Sequence, residues 1–450
     1  MNRLTVHVVL VRRTRRSTTN LRALLAGVGP TAFLLVGMLL SSCSSDGTAG
    51  TGGMSGAGGA SGSGGAAGTA GIGGVGGTGA PKCVLQTEAA PFGLLQLDVE
   101  TVADGLEVPW GLAFLPDGNI LVTERPGRLL LLRTGEVPAL VEEVDVAQVN
   151  SQFGFEGGLL GILLHPDFET NRLFYLYYTA TKPDDSLVNR IERYELANDA
   201  LSATSDRIIL DDIPAGDYHQ GGRMRIGPDG LLYVGVGAFE PALAQDPDSL
   251  AGKLLRMNLD GSIPADNPEP SSLVFISGIR NTQGFDWFDE NRLLIMDHGP
   301  TQQTDGMRGL DELNVAQAGD NLGWPEISGC DVSDGLSPPA MVWEEPFPPG
   351  GATLYTGTAI PSWTGSLMVT ALGFNAPSGR HLHRLELDPG DPRTVVAQES
   401  FLVNTYGRLR TSAMGPDGLL YITTSNCDGI RSSCPEEGDL VLRVVGTTGP

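Results

Sequence analysis

WGLAFLPDGNILVTERPGRLLLL, residues 110–132, reads as an alternating apolar strand, a Pro-Asp-Gly turn, a second strand and, after another turn, a third. Period-two alternation turns one face of each strand toward a core, and Pro-Asp-Gly supplies the backbone angles that a tight reversal needs. The same cadence returns in LGILLHPDFETNRLFYLYYT (160–179), MRIGPDGLLYVGVG (224–237) with GKLLRMNLDG, and GFDWFDENRLLIMDHG (284–299). It returns again in TAIPSWTGSLMVTA (358–371) with HLHRLEL, and in SAMGPDGLLYITTS (412–425) with GDLVLRV. Six such units, with no helical periodicity sustained over three turns, predict an all-β chain folded as a six-bladed β-propeller, a closed ring of repeats with few exposed edges. A pair of β-sandwiches is the alternative, although it does not call for one motif repeated six times.

The domain begins late in the chain. Residues 1–42 hold six arginines and no acid, then the apolar run TAFLLVGMLL at 31–40, which is the pattern of a signal peptide. Gly27, Gly29 and Pro30 interrupt it, and the apolar run is shorter than the roughly 20 residues of a membrane-spanning helix. Leu40-Ser41-Ser42-Cys43 resembles a bacterial lipobox, with Cys43 as the lipidated first residue of the mature chain. Residues 43–81 then form a Gly-rich tether: seventeen of the 34 residues from 47 to 80 are glycine, so half of it has no side chain to bury. The domain expected is 82–450, in the bacterial cell envelope, lipid-anchored at the outer membrane, or periplasmic or secreted, touching the membrane through the anchor alone.

Loss of the signal takes the formal charge from −24 to −30, which argues against nucleic acid as a partner. Four cysteines remain after Cys43, an even number that in an exported chain favours disulfides; four allow three connectivities. Closing CDGIRSSC between Cys427 and Cys434 is geometrically plausible, and Cys83 would then join Cys330.

The loops between repeats carry the chemistry. EGGLLGILLHPDF (156–168), HQGGRMRIGPDG (219–230), AGKLLRMNLDGSIPADNP (251–268), SGIRNTQGF (277–285), DHGP (297–300), LDELNVAQAGDNLGWP (310–325) and GRLRTSAMGPDGLLY (407–421) together resemble the glucose/sorbosone dehydrogenase family. Its characterised enzymes are soluble aldose sugar dehydrogenases dependent on pyrroloquinoline quinone (PQQ). The likeness runs over roughly 100–445, in order and with similar spacing.

The resemblance implies PQQ lying over the channel mouth beside a calcium ion, with an aldose as substrate and a respiratory electron acceptor as partner. The family's HxxGR histidine falls on His219, and neutral imidazole suits a base that removes a hydroxyl proton. Arg280 falls where the family binds a developing oxyanion or a cofactor carboxylate, a task for a fixed guanidinium. Asn281 follows it, with Thr282 where the family usually has proline. Arg408 and Arg410 match a pair that grips the cofactor's carboxylates. Glu156 falls at the cofactor rim, where some relatives carry glutamine. Gly299, Pro300 and Leu322 match carbonyl ligands of the calcium ion and Glu312 its carboxylate, with Asp311 beside it; oxygen donors suit that hard cation. A family lysine near TALGFNAPSGRH has no clear match here, and Arg380 could supply the charge.

Two other functions share this architecture. A non-catalytic propeller would bind glycans or a protein ligand with the same loop face. A lactonase would need several inward acids or asparagines around one ion.

Overall fold

The computed structural model describes residues 82–146, 155–300, 309–373, 379–429 and 433–448. Cys43, the signal pattern and the Gly-rich tract lie outside the described residues. Within them the chain is all-β apart from four short helical segments.

The Pro-Asp-Gly turns explain the hairpins. In three repeats the same bonds recur: Gly118, Gly230 and Gly418 take φ of 87°, 77° and 77° and donate to the carbonyls of Leu115, Gly227 and Gly415. The aspartate before each glycine accepts the N–H two residues on, from Asn119 at 3.0 Å, Leu231 at 3.1 Å and Leu419 at 3.1 Å. A carboxylate that copies a backbone turn acceptor and a glycine that takes positive φ without strain fix the register before any tertiary contact forms.

The strands assemble into six four-stranded antiparallel units. They start at Pro109–Phe114, Leu159–Leu164, Met224–Ile226, Thr282–Trp287, Pro349–Leu354 and Leu409–Met414. The first and second units also join at their rims through the parallel pairing of Ser202 and Ala203 with Asp145 and Val146. Each unit packs on the next at its leading strands, and the sixth packs back on the first, so the sheets succeed one another around an axis. Between successive sheets lie apolar layers, such as Leu160, Tyr177, Met224 and Val234, or Met296, Ala352 and Val369.

Two features fall outside the repeats. The last unit takes its outer strand, Leu97–Leu106, from the start of the domain, paired antiparallel with Asp439–Thr447. Val84–Gln86 adds a fifth strand, parallel to Met341–Trp343, at the rim of the fourth unit. Both expected disulfides are formed, Cys83–Cys330 and Cys427–Cys434.

Arg223 fills the middle. From the third unit its guanidinium donates to the Gln283 carbonyl (2.8 Å) in the fourth and Thr411 Oγ1 (3.0 Å) in the sixth, and it lies 4.5 Å over the Trp110 ring of the first. Burial, with Arg225 and Arg410 nearby, lowers its pKa to about 9, so it stays charged at neutral pH. One side chain thus ties four units together at the centre.

Candidate active site

His219 ends the connection between the second and third units, only 7% exposed and with φ of 62°. The segment His219–Gly222 is held at successive main-chain positions. Glu156 Oε2 accepts the His219 N–H (2.8 Å), Tyr177 Oη donates to the Gln220 carbonyl (2.7 Å), Asn281 Oδ1 accepts the Gly221 N–H (3.1 Å) and Gly235 O that of Gly222 (2.8 Å). Gly221, at φ of 63°, has no room for a side chain: a Cβ there would stand 2.4 Å from the Gly235 carbonyl oxygen. The glycines of HQGGR are therefore what lets this loop lie against its neighbours.

The imidazole is oriented by a backbone carbonyl. His219 Nδ1 lies 3.0 Å from Ala238 O, which can only accept, so Nδ1 carries the proton and Nε2 keeps its lone pair. Burial, then the Arg280 charge, lowers the His219 pKa to about 4 against an opposing pull from Glu156. The ring is neutral at pH 7, with the lone pair of Nε2 unprotonated. Ala238 N–H donates in turn to the Arg280 carbonyl (2.8 Å), so one residue links the histidine to the arginine.

Arg280 and Asn281 are pinned by Asp297, whose two carboxylate oxygens accept their backbone N–H groups at 2.8 and 2.7 Å. The Arg280 guanidinium lies 5.4 Å over the Trp324 ring. Thr282 is fully buried and donates to Met296 O (2.9 Å), a bond that proline could not make. His298 follows Asp297, with Nε2 bonded to Pro349 O (2.7 Å) and a pKa lowered to about 3 by burial.

Across the centre, Arg408 and Arg410 reach the same carboxylate. Asp428 Oδ2 takes Arg408 Nε at 2.9 Å and lies 3.8 Å from Arg410 Nη2. Arg408 also donates to Leu372 O (2.7 Å), and Arg410 to Ser425 Oγ (2.9 Å) and Gln283 Oε1 (3.0 Å). Arg125 completes the group by donating to the Asp428 carbonyl (3.1 Å). Burial and the Arg125 charge lower the Arg410 pKa to about 9. Burial pushes Glu156 up, but His219, its N–H bond, His298 and Arg410 together hold it below its ordinary value.

The acids near the expected calcium segment form a second cluster. Asp311 accepts from Gly299 N (3.0 Å) and Phe347 N (2.9 Å), and Asp297 pairs with Glu312 across the sheet. Burial raises Asp297 and Asp311 to about 6; burial and those two carboxylates push Glu312 up to about 8. Gly299 and Pro300 are buried just beyond the strand that ends at Asp297. Leu322 packs its side chain in the core with Ile276 and Ile279, its N–H bonded to Ser277 O (2.9 Å). Among the described residues no group of three or more His, Cys, Asp or Glu side chains is arranged to hold a metal ion. Residues 301–308 lie outside the described residues.

The structure thus brings His219, Glu156, Arg280, Asn281, Arg408 and Arg410 within reach of one another's charges or hydrogen bonds from segments far apart in sequence. Sequence reasoning gave no role to Asp297, Asp428, Arg125, Arg223 or the Ala238 carbonyl. An acid closing an apolar strand (Asp297) and one inside a cysteine-bracketed loop (Asp428) were readable signals; a backbone carbonyl leaves none.

Comparison with known proteins agrees with this geometry. Residues 106–432 match the glucose/sorbosone dehydrogenase family. The chain belongs to that family. The aldose sugar dehydrogenase YliI of Escherichia coli is 30% identical over 359 residues, covering 74% of this chain and 91% of that protein. Quinoprotein glucose dehydrogenase B of Acinetobacter calcoaceticus is 32% identical over 270 residues, 53% of this chain and 55% of its own. Among solved structures of glucose/sorbosone dehydrogenase relatives, the PQQ-bound aldose sugar dehydrogenase of Streptomyces coelicolor superposes with a TM-score of 0.67 at 33% identity, covering 77% of this chain and 98% of its own.

Proposed function

We propose that this protein is a PQQ- and calcium-dependent aldose dehydrogenase, oxidising its sugar at the anomeric carbon to the lactone, on a six-bladed propeller formed by the six units. The observation that carries the proposal is His219, neutral, with its proton held on Nδ1 and the Nε2 lone pair available, in reach of the Arg280 charge. The donor set fits an anionic cofactor: Arg280, Arg408 and Arg410 are buried guanidinium groups, and PQQ carries three carboxylates. Glu312 fits a cation's neighbourhood, since burial and then the carboxylates of Asp297 and Asp311 push it up to about 8, a cost that an opposite charge would relieve.

When bound, PQQ supplies the two-electron acceptor for the sugar's hydride, with calcium as the Lewis acid beside it. The chain's own residues do the rest. His219 Nε2 takes the anomeric hydroxyl proton. Arg280, fixed by Asp297 and by Trp324, stabilises charge developing on that oxygen. Arg408 and Arg410, with Asn281 beside them, hold the cofactor's polar edge. Gly299, Pro300, Leu322 and Glu312 are the proposed calcium ligands. We further assign 1–42 as a lipoprotein signal, 43–81 as a tether anchored at Cys43, and 82–450 as the catalytic domain in the envelope, passing electrons to a respiratory acceptor.

The test is dye reduction by the purified chain with PQQ, calcium and a panel of aldoses. Activity that needs both additions and drops in His219→Ala is expected. No PQQ-linked spectral change and no dye reduction would overturn the assignment.

A further inference from the structure

We propose that Glu156 acts as the positioning residue for His219, holding the main chain of the base in its left-handed conformation and serving the cofactor only through it. The inference rests on reading His219 as the base. A non-glycine residue at φ of 62° is unfavourable by itself and persists only where its surroundings hold it. Two bonds fix His219: Ala238 O on the ring, and the Glu156 carboxylate on the main-chain N–H at 2.8 Å, reaching across 63 positions of sequence. The neighbouring carbonyl and N–H groups of the segment are tied to Tyr177, Asn281 and Gly235, so Glu156 completes a set of holds on one short loop.

Glu156 is itself placed firmly. Its N–H donates to Asp217 O (3.2 Å), just before His219. Two residues on, Gly158 lies so close to Arg125 that a Cβ would be 2.0 Å from the Arg125 carbonyl oxygen. The charged and titratable groups facing the pair are Arg280 and the neutral His298 at the fourth unit and Arg410 on the sixth. An anion at this point belongs with the base, because its carboxylate is already committed to an N–H and repels the carboxylates of an anionic cofactor. Glutamine would keep the acceptor oxygen and lose only the charge.

The experiment compares Glu156→Ala and Glu156→Gln in the full chain by three readouts. These are the His219 backbone amide resonance in histidine-labelled protein without PQQ, the affinity for PQQ, and kcat and KM for an aldose at saturating PQQ. A displacement of the histidine costs on the order of 100-fold in rate. Glu156→Ala is therefore expected to lose about that much in kcat with KM little changed, and to shift the His219 amide. Glu156→Gln is expected to recover most of the rate and to restore the amide position. An unshifted amide in Glu156→Ala overturns the proposal, as does a loss that lies wholly in PQQ affinity. Because the amide is read without cofactor, a wild-type chain that fails to oxidise aldoses would remove the dehydrogenase reading and leave this result standing.

Discussion

Asp428 lies fully buried beneath Arg408, accepting Nε and meeting Nη2, each at 2.9 Å. A carboxylate and a guanidinium removed from water in this way depend on each other, since either alone would be an uncompensated buried charge.

Asp428→Asn is expected to cost about 3–5 kcal/mol of unfolding free energy, the range for breaking one side of a buried ion pair. Denaturant titration of the variant checks it. A loss below about 1 kcal/mol would assign the pair the weight of a surface contact instead.

The low pKa of His219 sets an acid limit. The imidazole works as a base only when neutral, and its folded-state pKa of about 4 leaves it neutral from pH 7 down to about 5. kcat/KM is expected to lose no more than a small factor to this group over that range and to fall tenfold per unit below about pH 4. The same shift affects stability. A histidine whose pKa falls from 6.5 to about 4 on folding contributes stability above pH 6.5, and this is lost as pH falls toward 4, by at most about 1.4 kcal/mol per pH unit. His298, lowered to about 3, adds in the same direction. Urea titrations at pH 7 and 5 on the wild type and His219→Asn separate the two contributions.

Gly221→Ala is expected to damage both stability and rate. Its φ of 63° costs an alanine about 1–2 kcal/mol, and the new Cβ would overlap the Gly235 carbonyl oxygen at 2.4 Å. Since Gly221 lies two residues from His219, kcat should fall with the melting temperature. Gly118→Ala is the control: its φ of 87° carries similar strain, but a Cβ there meets nothing within 4 Å and the site is distant in sequence. It should lose stability alone.

The two disulfides should contribute unequally. Cys83 and Cys330 stand 247 residues apart, Cys427 and Cys434 only seven. In the chain-entropy account, removing the first costs about 5 kcal/mol and the second about 2. Cys-to-Ser pairs compared by denaturant titration test the ranking.

What could be read from the sequence was what local chemistry dictates. Pro116-Asp117-Gly118 and its two copies announce their turns through residues suited to a tight reversal, and the strand cadence repeated six times gives six units. His219 and Arg280 were readable through their motifs. Leu97–Leu106 was not placed, because its partner strand is at the far end of the domain and nothing nearby signals a pairing. Nor could the sequence show that Arg408 and Arg410 share Asp428, a contact that exists only once Asn426–Asp428 has turned inward. Ala238 orients the base through a carbonyl that every residue possesses.

The pairing of Leu97–Leu106 with Asp439–Thr447 imposes an order of events on the newly made chain. The first of these strands is synthesised early and must wait, its edge bare, through the making of five intervening units before its neighbour emerges. The last sheet is therefore complete only after the five preceding units have been made. A chain cut short anywhere before Asp439 keeps an exposed edge at one end and a missing strand at the other, so truncated products are marked for association or proteolysis.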